Sequence, residues 1–180
     1  MSLIENALAD SLNQHELIGI YTNRRDISRF ALGWITGLTD LGYCLNTVDE
    51  FGGPDVVQVG HIENILKVSR NGPYIEGIGA IIASNPAFSS SSFNYCLADM
   101  EAVIEDLRDK RRVLTVLDED GWEITGLILN LDETALELKT FSKVGIYDGD
   151  EIIRIDDIFK LEFFGRQQRV LESILDFRKD

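Results

Sequence analysis

The chain has 180 residues, 44% of them apolar, and its 31 acidic and 17 basic side chains give a net charge of −14. A charge of this sign repels phosphate backbones and anionic lipids, so non-specific binding to nucleic acid or to a membrane surface is disfavoured. The chain has only two cysteines, its N-terminus lacks the basic and apolar regions of a signal peptide, and it contains no long apolar run. We therefore expect a cytoplasmic protein without a transmembrane helix.

The first half of the sequence predicts a helix, five strands and a second helix. Apolar residues at helical spacing predict the opening helix over residues 2–13, with Ser2 as its cap. Runs of β-forming residues separated by turn residues predict strands at 17–21, 30–38, 43–47, 56–59 and around 62–68. Residues 75–82 predict a closing helix, which Gly77 and Gly79 weaken.

The second half predicts the same order of elements. Residues 100–107 have the apolar spacing of a helix, and residues 166–177 that of an amphipathic closing helix. Between them the sequence predicts strands at 113–116, 124–131, 136–141, 151–155 and 158–163. Residues 85–94 are uncharged and contain four consecutive serines, which is typical of a linker.

The two halves are related by a shift of 93 residues. Identical residues recur at this shift without a gap from Thr22/Thr115 to Ile81/Ile174. The matched pairs include Gly33/Gly126, Ile35/Ile128, Leu38/Leu131, Leu45/Leu138, Ile62/Ile155 and Ile65/Ile158. The repeat indicates two copies of one fold, so we predict domains at 1–84 and 95–180 with the linker between them.

Five short strands in each copy favour a small, strongly bent barrel, because closing the sheet removes its unpaired edges. Gly33 and Gly126 lie inside the long second strand of each copy, where a missing side chain permits a sharp bend. The sequence therefore predicts an α+β protein that is mainly β: two tandem five-stranded bent barrels of the SH3-like kind, each with an N-terminal and a C-terminal helix.

The glycine-containing strands resemble the first motif of the Sm-like family. Gly126, Ile128, Leu131 and Asp132 match that motif, and Gly33, Ile35 and Leu38 match it with Asp40 displaced by one position. In the second motif, His61-Ile62 and Arg154-Ile155 stand where the family has Arg-Gly. The resemblance implies the Sm-like scaffold and assembly through barrel edges, and the departures fall on the residues with which the family binds RNA.

A small group of residues forms the candidate nucleic-acid or partner contact. Aromatic and arginine side chains together suit single-stranded nucleic acid, and in the first copy this combination occurs at Tyr21, Arg24, Arg25 and Arg29. His61 and Arg154 join the group because they occupy the position of the family's arginine. The alternative is a surface turn that pairs with acidic residues of the second half.

The remaining polar residues favour structural roles. Asp148, Gly149, Asp150 and Glu151, followed by Asp156 and Asp157, could gather around a divalent ion, but strand periodicity at Ile152, Ile153 and Ile155 favours a solvated turn. Cys44 alternates with Tyr43 and Leu45 on a strand and is interpreted as a free structural thiol. The closing helix at 166–177 packs on its own barrel or recruits a partner.

We predict no catalytic residue, cofactor or metal ion. The sequence favours a non-enzymatic, cytoplasmic, bacterial interaction or assembly protein, with self-association or a protein partner. One alternative is an RNA-binding regulator that uses the positive face near Tyr21 and Arg24. The other is a metal-dependent hydrolase that uses Asp148, Asp150 and Asp156.

Overall fold

The computed structural model describes residues 2–26, 28–85 and 95–177. Contacts divide the chain into two compact units, Met1–Asp99 and Met100–Asp180. Both units combine helices with antiparallel strands, so the protein is α+β. The predicted linker at 85–94 lies outside the described residues except for Asn85.

The described part of the first unit has two helices and five strands. The helices are α1 (Leu3–Gln14) and α2 (Pro73–Ser84), and the strands are β1 (Ile18–Tyr21), β2 (Ala31–Leu38), β3 (Gly42–Val48), β4 (Pro54–His61) and β5 (Lys67–Ser69). A short 3₁₀ helix, Ile62–Asn64, connects β4 to β5. The strands pair in the order β5-β1-β2-β3-β4, and all four pairings are antiparallel.

Two apolar clusters hold the first unit together. The first lies between α1 and the sheet, where Leu8 packs against buried residues that include Tyr43 and Leu45. The second lies under α2 and contains Ile75 and Ile78. Burying an aliphatic side chain of this size contributes roughly 1.5–3 kcal/mol, so these clusters account for the position of both helices.

The described part of the second unit has the same composition of elements. The helices are α3 (Met100–Asp109) and α4 (Arg166–Phe177), and the strands are β6 (Val113–Leu117), β7 (Glu123–Leu131), β8 (Ala135–Phe141), β9 (Tyr147–Arg154) and β10 (Lys160–Phe163). A 3₁₀ helix, Ile155–Asp157, connects β9 to β10. The strands lie in the order β10-β6-β7-β8-β9, with four antiparallel pairings.

Several elements of the two units have bounds that differ by 93 in residue number. The bounds of β3 and β8, of β4 and β9, of the two 3₁₀ helices, and of α2 and α4 agree in this way at both ends. The register shift in β2 between Ile35 and Gly37 recurs in β7 between Ile128 and Asn130. The same backbone irregularity therefore occurs at equivalent positions of both units.

Gly33 and Gly126 are required by close contact between neighbouring strands. A Cβ at Gly33 would overlap the carbonyl oxygen of Asn46, and one at Gly126 would overlap that of Lys139. Both glycines lie inside the second strand of their unit, as predicted. In the described residues, no pairing joins the end strands of either unit directly, so neither five-stranded sheet is closed by hydrogen bonds within the unit.

The turn predicted at Asp148 to Glu151 is wrong. These residues belong to β9, where Gly149 is opposite Thr140 and Glu151 is opposite Leu138. The Thr140 hydroxyl also donates to the Gly149 carbonyl oxygen at 2.8 Å. Pairing with β8 thus overrides the local preference of aspartate and glycine for turns.

Among the described residues, no helix combines the length and the apolar character needed to cross a membrane.

Candidate functional site

The Tyr21 side chain is packed into the protein surface. It is 9% exposed; its ring centroid lies 5.0 Å from that of Phe30, and the Lys67 ammonium lies 4.3 Å from the same centroid. These contacts occupy the ring that would have to stack on a nucleic-acid base. Tyr21 is therefore a packing residue of β1 rather than an open aromatic platform.

The arginines that follow Tyr21 lie on an exposed loop. The Asn23 side-chain oxygen fixes this loop by accepting hydrogen bonds from the backbone amides of Arg25 and Asp26, at 2.9 and 3.1 Å. Arg29 is 3.0 Å from the Asp26 carboxylate. Hydrogen bonds from the Ser28 hydroxyl and amide, with a smaller effect of Arg29, lower the pKa of Asp26. Asp26 therefore keeps its charge and offsets that of Arg29.

His61 lines a groove of about 530 Å³ in the first unit. The start of α1, the turn between β2 and β3, and the 3₁₀ helix Ile62–Asn64 form its walls. Its charged lining comprises Glu5, Asp40 and Glu63. Glu5 is held in place by a capping box, in which its carboxylate accepts from the Ser2 amide at 2.7 Å.

A second groove of about 260 Å³ occupies the equivalent place in the second unit. It lies beside α3, the turn between β7 and β8, and the second 3₁₀ helix; its charged residues are Glu101, Glu105, Arg108, Asp132 and Glu133. Hydrogen bonds from the amide and hydroxyl of Thr134 and from the Ala135 amide lower the pKa of Asp132. Arg154 is not among the residues lining this groove; its side chain is 72% exposed and 3.8 Å from Asp156 and Asp157.

Both grooves have an acidic lining. Carboxylates outnumber cationic side chains in each. A phosphate group placed there would meet like charge, because unit charges a few ångströms apart repel by about 1 kcal/mol even in water. The electrostatics of the grooves therefore disfavours nucleic acid.

Asp148 and Asp150 lie on β9, whereas Asp156 lies on the 3₁₀ helix that follows. In the part of the chain that the structure describes, no three histidine, cysteine or acidic residues come together as ligands for a metal ion. Asp148, Asp150 and Asp156, which were named for a metal-dependent hydrolase, are therefore not brought together as metal ligands.

Cys44 is fully buried in β3. Its sulfur lies 3.4 Å from the Thr36 hydroxyl oxygen and 3.6 Å from the Tyr95 carbonyl oxygen, to which the thiol donates. Burial raises the pKa of this thiol to about 12. A thiol that stays protonated is a poor nucleophile, which agrees with the structural role expected of Cys44.

The outer strand β9 is the most exposed strand of the second unit. Its burial pattern has exposed residues at nearly every position, and Ile152 is 76% and Tyr147 53% exposed. Three carboxylates, Asp148, Asp150 and Glu151, lie on the same strand. A hydrogen bond to Asp150 raises the pKa of Tyr147. Sequence reasoning missed this surface, although the consecutive Ile152 and Ile153 place an apolar residue on both faces of an acidic strand.

No protein-family model matches the chain. A search of curated proteins likewise gives no significant match.

Proposed function

We propose that this protein is a non-enzymatic, cytoplasmic interaction protein built from two Sm-like barrels, and that it assembles with other copies of itself through strand edges. The Sm-like interpretation is supported by the order of elements: each unit has a helix, five antiparallel strands and a register shift in the long second strand. Sm-like proteins assemble through the same kind of edge.

The exposed edge of β9 carries the proposal. Among the described residues β9 pairs with β8 alone, and β5 of the first unit pairs with β1 alone. A strand with one unpaired edge presents amide and carbonyl groups that another strand can satisfy. Ile152 and Tyr147 add apolar area beside that edge.

Charge selects which strand can pair with β9. Two β9 strands would bring the carboxylates of Asp148, Asp150 and Glu151 opposite one another, and like charges across a strand pair are unfavourable. The outer strand β5 instead carries Lys67, whose side chain is exposed. We therefore infer that β9 of one copy pairs with β5 of the next, a head-to-tail arrangement that yields rings or chains.

Light scattering coupled to gel filtration tests this assembly. The wild-type protein is expected to form species larger than a monomer at about 100 μM, a concentration at which even weak association is populated. Asp150→Lys and Lys67→Glu should each weaken association about tenfold, because each places like charges across the strand pair. The double variant restores the charge pairing and should recover the wild-type mass.

Asp156→Lys provides the control, because it makes the same charge change at a side chain that is 88% exposed and lies outside β9. Circular dichroism verifies that every variant is folded. A wild-type protein that remains monomeric, or a double variant that stays as weak as its single parents, would contradict assembly through these edges.

A further inference from the structure

An apolar groove with a basic rim runs along α4 of the second unit. Its volume is about 670 Å³, and it is lined by Val144, Arg166, Arg169, Val170, Ser173, Ile174 and Phe177. Val170, Ile174 and Phe177 follow one another at helical spacing and form a stripe along one face. Val170 is 47% and Phe177 83% exposed, so the stripe faces solvent.

The opposite face of α4 fixes the orientation of the helix. Leu171 is fully buried, and the Gln168 amide donates to the Thr115 hydroxyl at 2.8 Å. Glu172 accepts from the Val113 backbone amide at 3.0 Å and forms an ion pair with Arg112 at 3.0 Å. Because these contacts hold the docked face, the exposed stripe cannot rotate inward.

The turn between β8 and β9 forms the other wall of the groove. Gly145, with a φ of 73°, lies directly against Ile174, and a Cβ at this position would be 2.7 Å from the Ile174 side chain. Hydrogen bonds between Ser142 and Gly145 and between Ser142 and Ile146, both 2.8 Å, close the turn. This close approach places Val144, which is 62% exposed, beside the stripe.

The fold does not require two of the three stripe residues, Val170 and Phe177, whereas Ile174 has an identical equivalent, Ile81, in the first unit. The equivalent positions of α2 in the first unit hold Glu76, Gly77 and Ser84 in place of Arg169, Val170 and Phe177. That helix docks on its own unit through Ile75 and Ile78 without an arginine or a large apolar side chain at those positions. The exposed side chains of α4 are therefore additional to what holds the helix in place.

We propose that this groove binds an acidic amphipathic helix of a partner protein. The inference rests on the proposed role in protein interaction but uses a different surface from the strand edges. The stripe of Val170, Ile174 and Phe177 matches the spacing with which helices pack against one another. Arg166 and Arg169 line the groove and place two positive charges on its rim, which complement the carboxylates of an acidic helix.

Fluorescence anisotropy with a defined peptide tests this assignment. The probe is a fluorescein-labelled peptide of about three heptads, with leucine at positions a and d and glutamate at e and g. The wild-type protein should bind it, and added salt should weaken the complex because exposed charges are screened. The same peptide with lysine in place of glutamate should bind at least about tenfold more weakly.

Two substitutions locate the binding surface. Val170→Asp removes part of the stripe, and Arg169→Glu reverses one of the two rim charges; each should weaken peptide binding by about tenfold or more. Both side chains are exposed, so thermal melts should be unchanged. Arg24→Glu makes the same charge change as Arg169→Glu at an exposed position of the other unit, and it should bind the peptide like the wild type.

Equal binding of both peptides, or equal binding by all variants, would overturn the assignment. Light scattering on the same samples separates the two proposals. If Val170→Asp lowers the molecular mass, the groove is covered by a second copy and the acidic partner helix is excluded. If the wild type is monomeric but binds the acidic peptide, self-assembly fails and the groove assignment stands.

Discussion

Cys44 and Cys96 differ in chemistry because their surroundings differ. Cys44 is enclosed in β3, where burial raises its thiol pKa to about 12, whereas Cys96 is exposed. Thiolate is the reactive form of cysteine. The two residues should therefore react with alkylating reagents at very different rates.

We expect iodoacetamide at pH 8 to modify Cys96 in the native protein and to reach Cys44 only after unfolding. Peptide mass spectrometry assigns the modified residue, and guanidinium-unfolded protein serves as the control in which both react. Comparable native rates for the two thiols would contradict the burial of Cys44.

The raised pKa of Cys44 also links stability to pH. The unfolded thiol ionises near its ordinary value of 9.0 while the folded thiol stays protonated, so this contribution to stability is complete below pH 9 and is lost as pH rises toward 12. Urea unfolding at pH 8 and pH 10 should show a larger loss of stability in the wild type than in Cys44→Ala. An identical loss in both proteins would exclude this linkage.

Ile65 and Ile158 are equivalent core residues with exposures of 6% and 2%. Ile65→Asp or Ile158→Asp would bury a charge without a partner, and we expect each to reduce the free energy of unfolding by about 3–5 kcal/mol. Thermal melts followed by circular dichroism measure the effect. Ile152→Asp, at a side chain that is 76% exposed, is the matched control and should melt like the wild type.

The segment Tyr95 to Asp99 is held against β2 and β3 by contacts that glycine permits. A Cβ at Gly37 would overlap the carbonyl oxygen of Cys96, and one at Gly42 would overlap that of Ala98. The Thr36 hydroxyl donates to the Tyr95 carbonyl oxygen at 2.6 Å. The equivalents of these glycines in the second unit are Asn130 and Ala135, so the close approach is particular to the first unit.

Gly42→Ala should displace this segment, because the added methyl group meets backbone rather than a flexible side chain. We expect faster amide exchange at residues 95–99 and faster alkylation of Cys44, whose thiol lies against the Tyr95 carbonyl. Ala135→Gly is the control and should leave both rates unchanged. Unaltered exchange in Gly42→Ala would show that the segment does not depend on this contact.

The strands and helices were largely predictable where apolar residues recur with a clear period. The closing helix predicted at 166–177 has those bounds in the structure, and the opening helix predicted at 2–13 corresponds to α1 at Leu3–Gln14. The turn predicted at Asp148 to Glu151 was wrong. Aspartate and glycine are typical turn residues, but here hydrogen bonds to β8 hold them in a strand. β8 directly precedes β9 in the chain, but the residue types of Asp148 to Glu151 do not reveal that pairing.

In the molecule as a whole, core residues could be predicted from the sequence, whereas the exposed face of α4 could not. The repeated aliphatic residues indicated the core, because they recur in both copies and alternate with polar positions. The sequence also raised a partner-binding role for the closing helix, but it could not show which face of α4 is docked. The docked face is defined by Gln168, which contacts Thr115 of β6, and by Glu172, which contacts Val113 of β6 and Arg112.

The shared bounds of α2 and α4 allow the proposed binding surface of α4 to be copied onto α2. Glu76→Arg, Gly77→Val and Ser84→Phe would copy three outward side chains of α4 onto α2. A Cβ at Gly77 would have no atom within 4 Å, so the first unit has room for the larger residue. Because the two units share one order of elements, a new specificity can be placed on one of them while the other keeps its surface unchanged.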